Sequence, residues 1–152
     1  MRIEHTLPPG LLRNRPIRVL VIGAGPIGLM FVTLARNLGC SVTAAGRGEV
    51  RLQTAKRLGA GEVIDIAGQT DLVSAIKTQA TGAFDVVIEA VGQPKVWEAA
   101  AQLVRKGGTV NFFGGCASGT KVQLDTNRLH YSEVTLKATF HHTPETVRRP
   151  SL

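Results

Sequence analysis

The segment IRVLVIGAGPIGLMFVTLARNLG, residues 17–39, allows few ways for this chain to fold. Residues 17–23 form an apolar run, broken only by Arg18 and closed by glycine, the pattern of a strand buried on both faces. Residues 26–39 carry apolar positions at helical spacing, with Pro26 suited to a first turn and Gly39 to a C-terminal cap. At their junction stands Gly23-Ala24-Gly25-Pro26-Ile27-Gly28, a complete G-x-G-x-x-G. Alone such a string is weak evidence, but between a strand and a helix it is the dinucleotide-binding fingerprint. Gly23 allows the tight turn, Gly25 lets a pyrophosphate approach the backbone, and Gly28 lets the helix pack close to the strand. The pyrophosphate would meet free N–H groups at the positive end of the helix.

The rest of the chain repeats the alternation. Strands are expected at 41–45, 62–66, 84–92, 109–115 and 133–140. Helices are expected at 49–60, 70–81 and 94–108, the second with Thr70 or Asp71 near its N-cap. A further helix begins at Thr143 and Pro144 and is stopped by Pro150. Alternating strands and helices predict an α/β Rossmann fold: a doubly wound, six-stranded parallel sheet with helices on both faces. Residues 17–149 are expected to form this one domain, after a loosely held leader at 1–16 and before a tail at 150–152. A chain of 152 residues is long enough for one such core.

Composition narrows the function. Hydrophobic residues make up 43% and aromatics only 5%, which suits a buried sheet better than a nucleic-acid platform of exposed rings. The net charge of +7 attracts polyanions, but Arg2, Arg13, Arg15 and Arg18 lie in or beside the leader, and Arg148 and Arg149 near the other end. These read as solvated basic ends, or as the mark of a missing acidic partner domain, rather than as a nucleic-acid site. No apolar run is long enough to span a bilayer, and residues 1–16, with Glu4, Pro8, Pro9 and Pro16, do not form a signal peptide. Cys40 and Cys116 have no metal-ligand spacing and are expected as reduced thiols in a cytoplasmic protein.

The end of the second strand decides which dinucleotide is expected. A carboxylate there would bind both ribose hydroxyls of NAD and repel a 2′-phosphate. The chain instead reads Gly46-Arg47-Gly48. Gly46 removes the acid, Arg47 offers a charged planar fork, and Arg51 adds a second cation. NADP(H) is therefore expected over NAD(H). Glu49, the nearest acid, would favour NAD if it turned back to the ribose, although it also suits the first turn of the next helix. Ligands of open parallel sheets lie beyond the C-terminal strand ends, which nominates Glu89, Ala90, Val91 and Gly92, then Gly114 and Gly115, then Thr139 and Phe140. The expected cofactor contacts are Gly23, Gly25, Pro26, Ile27, Gly28, Gly46, Arg47, Arg51, Ala90, Val91, Gly92, Gly114 and Gly115.

The ordered series VLVIGAGPIGLM, AKRLGA (55–60), FDVVIEAVG, LVRKGGTVNFFGG and LHYSEVTLKATFHHTPETVRR resembles the zinc-type medium-chain alcohol and polyol dehydrogenases, with sorbitol and threonine dehydrogenases among the relatives. The likeness runs from Ile17 to Arg149. It implies a coenzyme-binding domain in which Gly46 takes the place of the NAD-selecting Asp and Arg51 a basic position near the ribose. In that family a separate catalytic domain, mostly N-terminal to this region, supplies the Cys, His and Glu ligands of the zinc. That domain is absent from the sequence, and IEHTLPPGL faintly resembles a piece of it joined directly to the first strand. The chain thus reads as a fragment or truncated product, inactive by itself.

No zinc site is expected within the chain. His141 and His142 are adjacent and diverge, and Cys116 and His130 lack a third partner. Glu89, Asp125 and Tyr131 are general-base candidates by residue type only, and no catalytic residue is expected. Thr135 stands four residues after Tyr131, so the Tyr-x-x-x-Lys pair of short-chain dehydrogenases is missing. The alternatives are a stand-alone dinucleotide-binding module without catalysis and a non-binding remnant. The resemblance also implies a homodimer through 133–140.

Overall fold

The computed structural model describes residues 15–138 and 140. Eleven elements follow in order among them: β1 (Arg18–Ile22), α1 (Pro26–Asn37), β2 (Ser41–Gly46), α2 (Glu49–Arg57), β3 (Glu62–Asp65), α3 (Leu72–Gln79), β4 (Phe84–Glu89), α4 (Pro94–Leu103), β5 (Val104–Phe112), α5 (Thr126–Tyr131) and β6 (Thr135–Ala138). The strands form one sheet in the order β3-β2-β1-β4-β5-β6, parallel throughout. The order reverses between β1 and β4, which is the doubly wound topology expected from the alternation.

Period-two alternation in the central strands builds a core on each face. Leu20 and Ile22 of β1, with Val87 of β4, pack against Ile76 of α3 and Val96, Ala100 and Leu103 of α4. Val19 and Val21, with Val86 and Ile88, pack against Phe31, Val32 and Ala35 of α1 and Ala55 of α2. All six residues of β4 are buried, as a central parallel strand covered on both sides requires.

The expected helix at 94–108 is corrected. It ends at Leu103, and Val104–Phe112 is strand. No glycine caps it. The Arg128 guanidinium donates to the carbonyls of Ala101 (3.1 Å), Gln102 (3.0 Å) and Val104 (2.6 Å), filling the orphan acceptors of the last turn from a distant segment. Residues 105–108 then bulge out of register between the Phe84–Val104 and Val86–Thr109 pairs. The Gly107 N–H donates to Ser132 O at 2.7 Å and pins the bulge.

The other corrections are smaller. The polar loop before β6 contains α5, whose N-cap Asp125 accepts from the Arg128 N–H at 3.2 Å. β4 stops at Glu89 rather than 92 and β5 at Phe112 rather than 115, because the residues beyond turn into loops. β6 begins at Thr135 rather than 133, since Glu133 takes a left-handed φ of 50°. Asp71, not Thr70, caps α3, accepting from the Ser74 N–H at 3.0 Å. Residues 1–14 of the expected leader, Thr139, His141, His142, the helix from Thr143 and Pro144, Arg148, Arg149 and the tail at 150–152 lie outside the described residues.

The N-terminal edge of the sheet is held by charge. Asp85, fully buried, accepts from Arg15 through both guanidinium nitrogens (2.9 and 2.8 Å), from the Arg18 N–H (2.8 Å) and from Arg105 Nε (2.5 Å). Burial alone would push its carboxyl pKa up, but these donors and the Arg105 charge outweigh it and hold the pKa at about 2.

Candidate functional site

The C-terminal edge of the sheet is built differently, from glycine and small apolar residues. Gly23 leaves β1 with φ 116°, which only glycine adopts without strain, and its N–H donates to Ala45 O at 2.8 Å. A Cβ on Gly28 would run into the Gly23 carbonyl, so helix α1 sits directly against the turn. Both glycines are therefore demanded by the fold itself.

Gly25 is not. It is the N-cap of α1 with φ −77° and ψ 179°, a conformation open to any residue, and a Cβ there would meet nothing within 4 Å. No side chain caps the first turn of α1, and no acid lies in it. Its leading N–H groups are left to an external acceptor.

At the end of β2, Gly46 is buried, and a Cβ there would stand 2.5 Å from Ala24 Cβ and 3.0 Å from Ala24 N. No side chain fits at this point of the strand. Arg47 follows immediately and is exposed, and Arg51 is exposed on the first turns of α2. Glu49 is also exposed, in the first turn of α2, where its charge favours the helix dipole.

The loops after β4 and β5 complete the edge. A Cβ on Gly23 would lie 2.9 Å from Ala90 O and 3.1 Å from Val91 Cγ2, so the β4 loop adjoins the glycine turn. A Cβ on Gly92 would lie 2.5 Å from Gly115 O, which places the β4 and β5 loops side by side. The structure thus brings Gly23, Gly28, Ala90, Val91, Gly92, Gly114 and Gly115 together, with Gly46 against Ala24 one strand over. Pro26 and Ile27 are exposed at the start of α1.

One contributor escaped the sequence reading, and a second was nominated there without the bonds it makes. The Trp97 indole N–H donates to Gly114 O at 2.8 Å while its ring stacks on Phe112, centroids 4.1 Å apart at 13°. An amphipathic helix position gives no sign of that long-range bond. The second is the side chain of Glu89. It is fully buried, and its Oε1 accepts from the N–H groups of Val91 (2.8 Å) and Gly92 (2.9 Å). Burial raises its pKa, only partly opposed by the surrounding donors. The Glu89 carboxyl thus faces the loop backbone and not solvent. Asp125 is engaged as a helix cap, and Tyr131 is exposed on α5.

Among the described residues, no three His, Cys, Asp or Glu side chains gather as a metal site. Cys116 is half-buried and His130 exposed, and a zinc ion finds no ligand set among them. No helix among the described residues is long and apolar enough to cross a membrane.

Comparison with known proteins agrees with this architecture. The family model for zinc-binding dehydrogenase matches residues 26–151. An L-threonine 3-dehydrogenase of Chromobacterium violaceum is 28% identical over 123 residues, which cover 80% of this chain and 36% of the relative. The chain thus spans about a third of the length of the curated relatives it matches. A protein of Sinorhizobium meliloti 1021, described as a zinc-binding dehydrogenase and solved with NADP, superposes with a TM-score of 0.75 at 30% identity, covering 82% of this chain and 37% of that one. A short chain alcohol dehydrogenase of Escherichia coli CFT073, solved with NADH, gives 0.72 at 25%, covering 82% and 36%. With the family model matching most of its length, a doubly wound sheet and the glycine turn in place, the chain belongs to the zinc-binding dehydrogenases, of which it carries the coenzyme-binding region of the medium-chain type.

Proposed function

We propose that this chain binds a nicotinamide dinucleotide, NADP(H) in preference to NAD(H), as the coenzyme domain of a zinc-dependent alcohol or polyol dehydrogenase. Gly25 is the observation that carries the reading. Neither its backbone angles nor its packing calls for glycine, whereas a pyrophosphate lying on the N-terminus of α1 would. The bound nicotinamide would supply hydride exchange with an alcohol carbon. The residues of this domain bind and orient it: the first turn of α1 receives the pyrophosphate, and the loops after β4 and β5 flank the other half.

The preference for the phosphorylated coenzyme rests on the end of β2. Solved relatives bind either form, one NADP and one NADH, so local chemistry has to decide. Ala24 leaves no room for a ribose-binding side chain at Gly46, and the next residue is an exposed guanidinium. Arginine suits a 2′-phosphate through charge and a bidentate fork. Calorimetric titration should show NADPH binding more tightly than NADH. Arg47→Ala should weaken NADPH by roughly tenfold, the effect of losing one charge-assisted pair, and leave NADH unchanged. Equal affinity of the native chain for both coenzymes would reject the phosphate reading.

The same reading extends to assembly. Among the described residues β6 lies at the end of the sheet, beside β5, the position from which a sheet can be extended by a further strand. A second copy joined through Thr135–Ala138 would continue the sheet across a twofold axis. Light scattering should give twice the chain mass, and Leu136→Pro should return the monomer. A monomeric native chain at high concentration would exclude this arrangement.

A further inference from the structure

Glu89 ends β4 as a fully buried carboxyl on an edge otherwise made of glycine and apolar residues. No cation pairs with it among the salt bridges of the described residues. A buried acid persists where its hydrogen bonds fix something. Glu89 fixes two loops at once. Its Oε1 accepts from Val91 and Gly92 after β4, and its main-chain carbonyl accepts from the N–H groups of Phe113 (2.9 Å) and Gly114 (3.0 Å) after β5. The loops meet backbone to backbone, for a Cβ on Gly114 would stand 2.4 Å from Gly92 N, and the Glu89 carboxyl is packed in the same place, its Oε2 2.7 Å from that Cβ. In a doubly wound sheet the β1–β3 half takes one mononucleotide and the half beginning with β4 takes the other. The loops tied by Glu89 belong to the second half.

We infer that Glu89 is a positioning residue for the nicotinamide half of the dinucleotide, acting through the N–H groups of Val91 and Gly92; this rests on the coenzyme reading above. Glu89 is too deeply buried to touch the ligand. It fixes the backbone against which the nicotinamide ribose and ring would lie, two strands away from Arg47 at the end of β2, while the Ala90–Val91 part of the same loop adjoins the glycine turn at Gly23. The task needs an acceptor rather than a charge, and burial already favours the neutral carboxyl. Glutamine should therefore replace it, and methionine, of similar size but accepting no such bonds, should not.

The full chain would be titrated with NADPH and with adenosine 2′,5′-bisphosphate, a fragment that lacks both the nicotinamide and its ribose. Glu89→Met should weaken NADPH by about tenfold and the fragment by less than about twofold, and Glu89→Gln should restore native NADPH affinity. Equal losses for both ligands in Glu89→Met would mean a general structural role, and Glu89→Gln as weak as Glu89→Met would mean that the two N–H bonds are not the cause. Either result overturns the inference.

A second measurement needs no variant. Trp97, the only tryptophan, is tethered to Gly114 in the same pair of loops. NADPH should quench its fluorescence by energy transfer to the dihydronicotinamide, and the fragment should not. NADPH that binds without quenching Trp97 would overturn the placement. A native chain that binds neither ligand would instead reject the coenzyme reading, and this inference with it.

Discussion

Gly25→Val will weaken NADPH binding about a hundredfold and leave the melting temperature of the free protein within about two degrees of native. The two halves of this result come from different physics. Gly25 has φ −77° and ψ 179°, within the region a valine adopts freely, and a Cβ there meets no atom within 4 Å. The fold therefore tolerates the side chain. A pyrophosphate on the α1 N-terminus would not, because the isopropyl group occupies the path to the free N–H groups. Loss of those charge-assisted bonds is worth roughly 3 kcal/mol, about a hundredfold in affinity. Gly28→Val is the control with the opposite signature. Its Cβ would overlap the Gly23 carbonyl, so it should destabilise the free chain whether or not a ligand is present. Calorimetry and thermal melts on the two variants separate a ligand-driven glycine from a fold-driven one. Unchanged NADPH affinity in Gly25→Val would remove the main support for a pyrophosphate at this turn.

The same contrast explains what the sequence made legible. The parallel sheet and the glycine turn could be read because local patterns encode them: apolar runs for strands buried on both faces, and three glycines at fixed spacing. The end of α4 could not. Its terminal carbonyls are satisfied by Arg128, 24 to 27 residues away, so the Gly107-Gly108 stop signal marks a bulge rather than a helix cap. α5 has six residues, too few for an apolar period, and its first turn is fixed by Asp125. In the site, the glycines announced themselves, while Trp97 and Glu89 act through bonds to loop backbone that leave no spacing in the sequence. The identity of Gly46 was legible, but not that Ala24 closes the space above it.

Asp85→Asn will lower the melting temperature by roughly 4–8 °C at pH 7, and the gap will close as the solution is made acid. Asp85 has no exposure, and its two oxygens accept from two arginine side chains and a backbone N–H. Asparagine keeps the shape but carries no charge, and its NH2 group would face donors. The carboxyl titrates at about 2 in the fold against 3.8 ordinarily, so the folded state favours the ionised form by about 2 kcal/mol. The sign follows from the direction of the shift. A depressed folded pKa gives stability that is complete above the ordinary value and disappears as pH falls through the folded one. The native advantage should thus be constant from pH 7 to about 5, shrink between about pH 4 and 2, and be nearly gone at pH 2. Arg15 is half-exposed and Arg105 more covered, with side-chain exposures of 51% and 28%, so Arg105→Met should reproduce more of the loss than Arg15→Met. A gap of the same size at pH 7 and pH 2 would show that Asp85 acts through shape and packing rather than charge. Because this cluster sits at the N-terminal edge, away from the glycine turn, Asp85→Asn should leave NADPH affinity at native value at temperatures where the variant is folded. Stability and coenzyme binding would then reside at opposite ends of the same strands, with β4 carrying Asp85 at its start and Glu89 at its end.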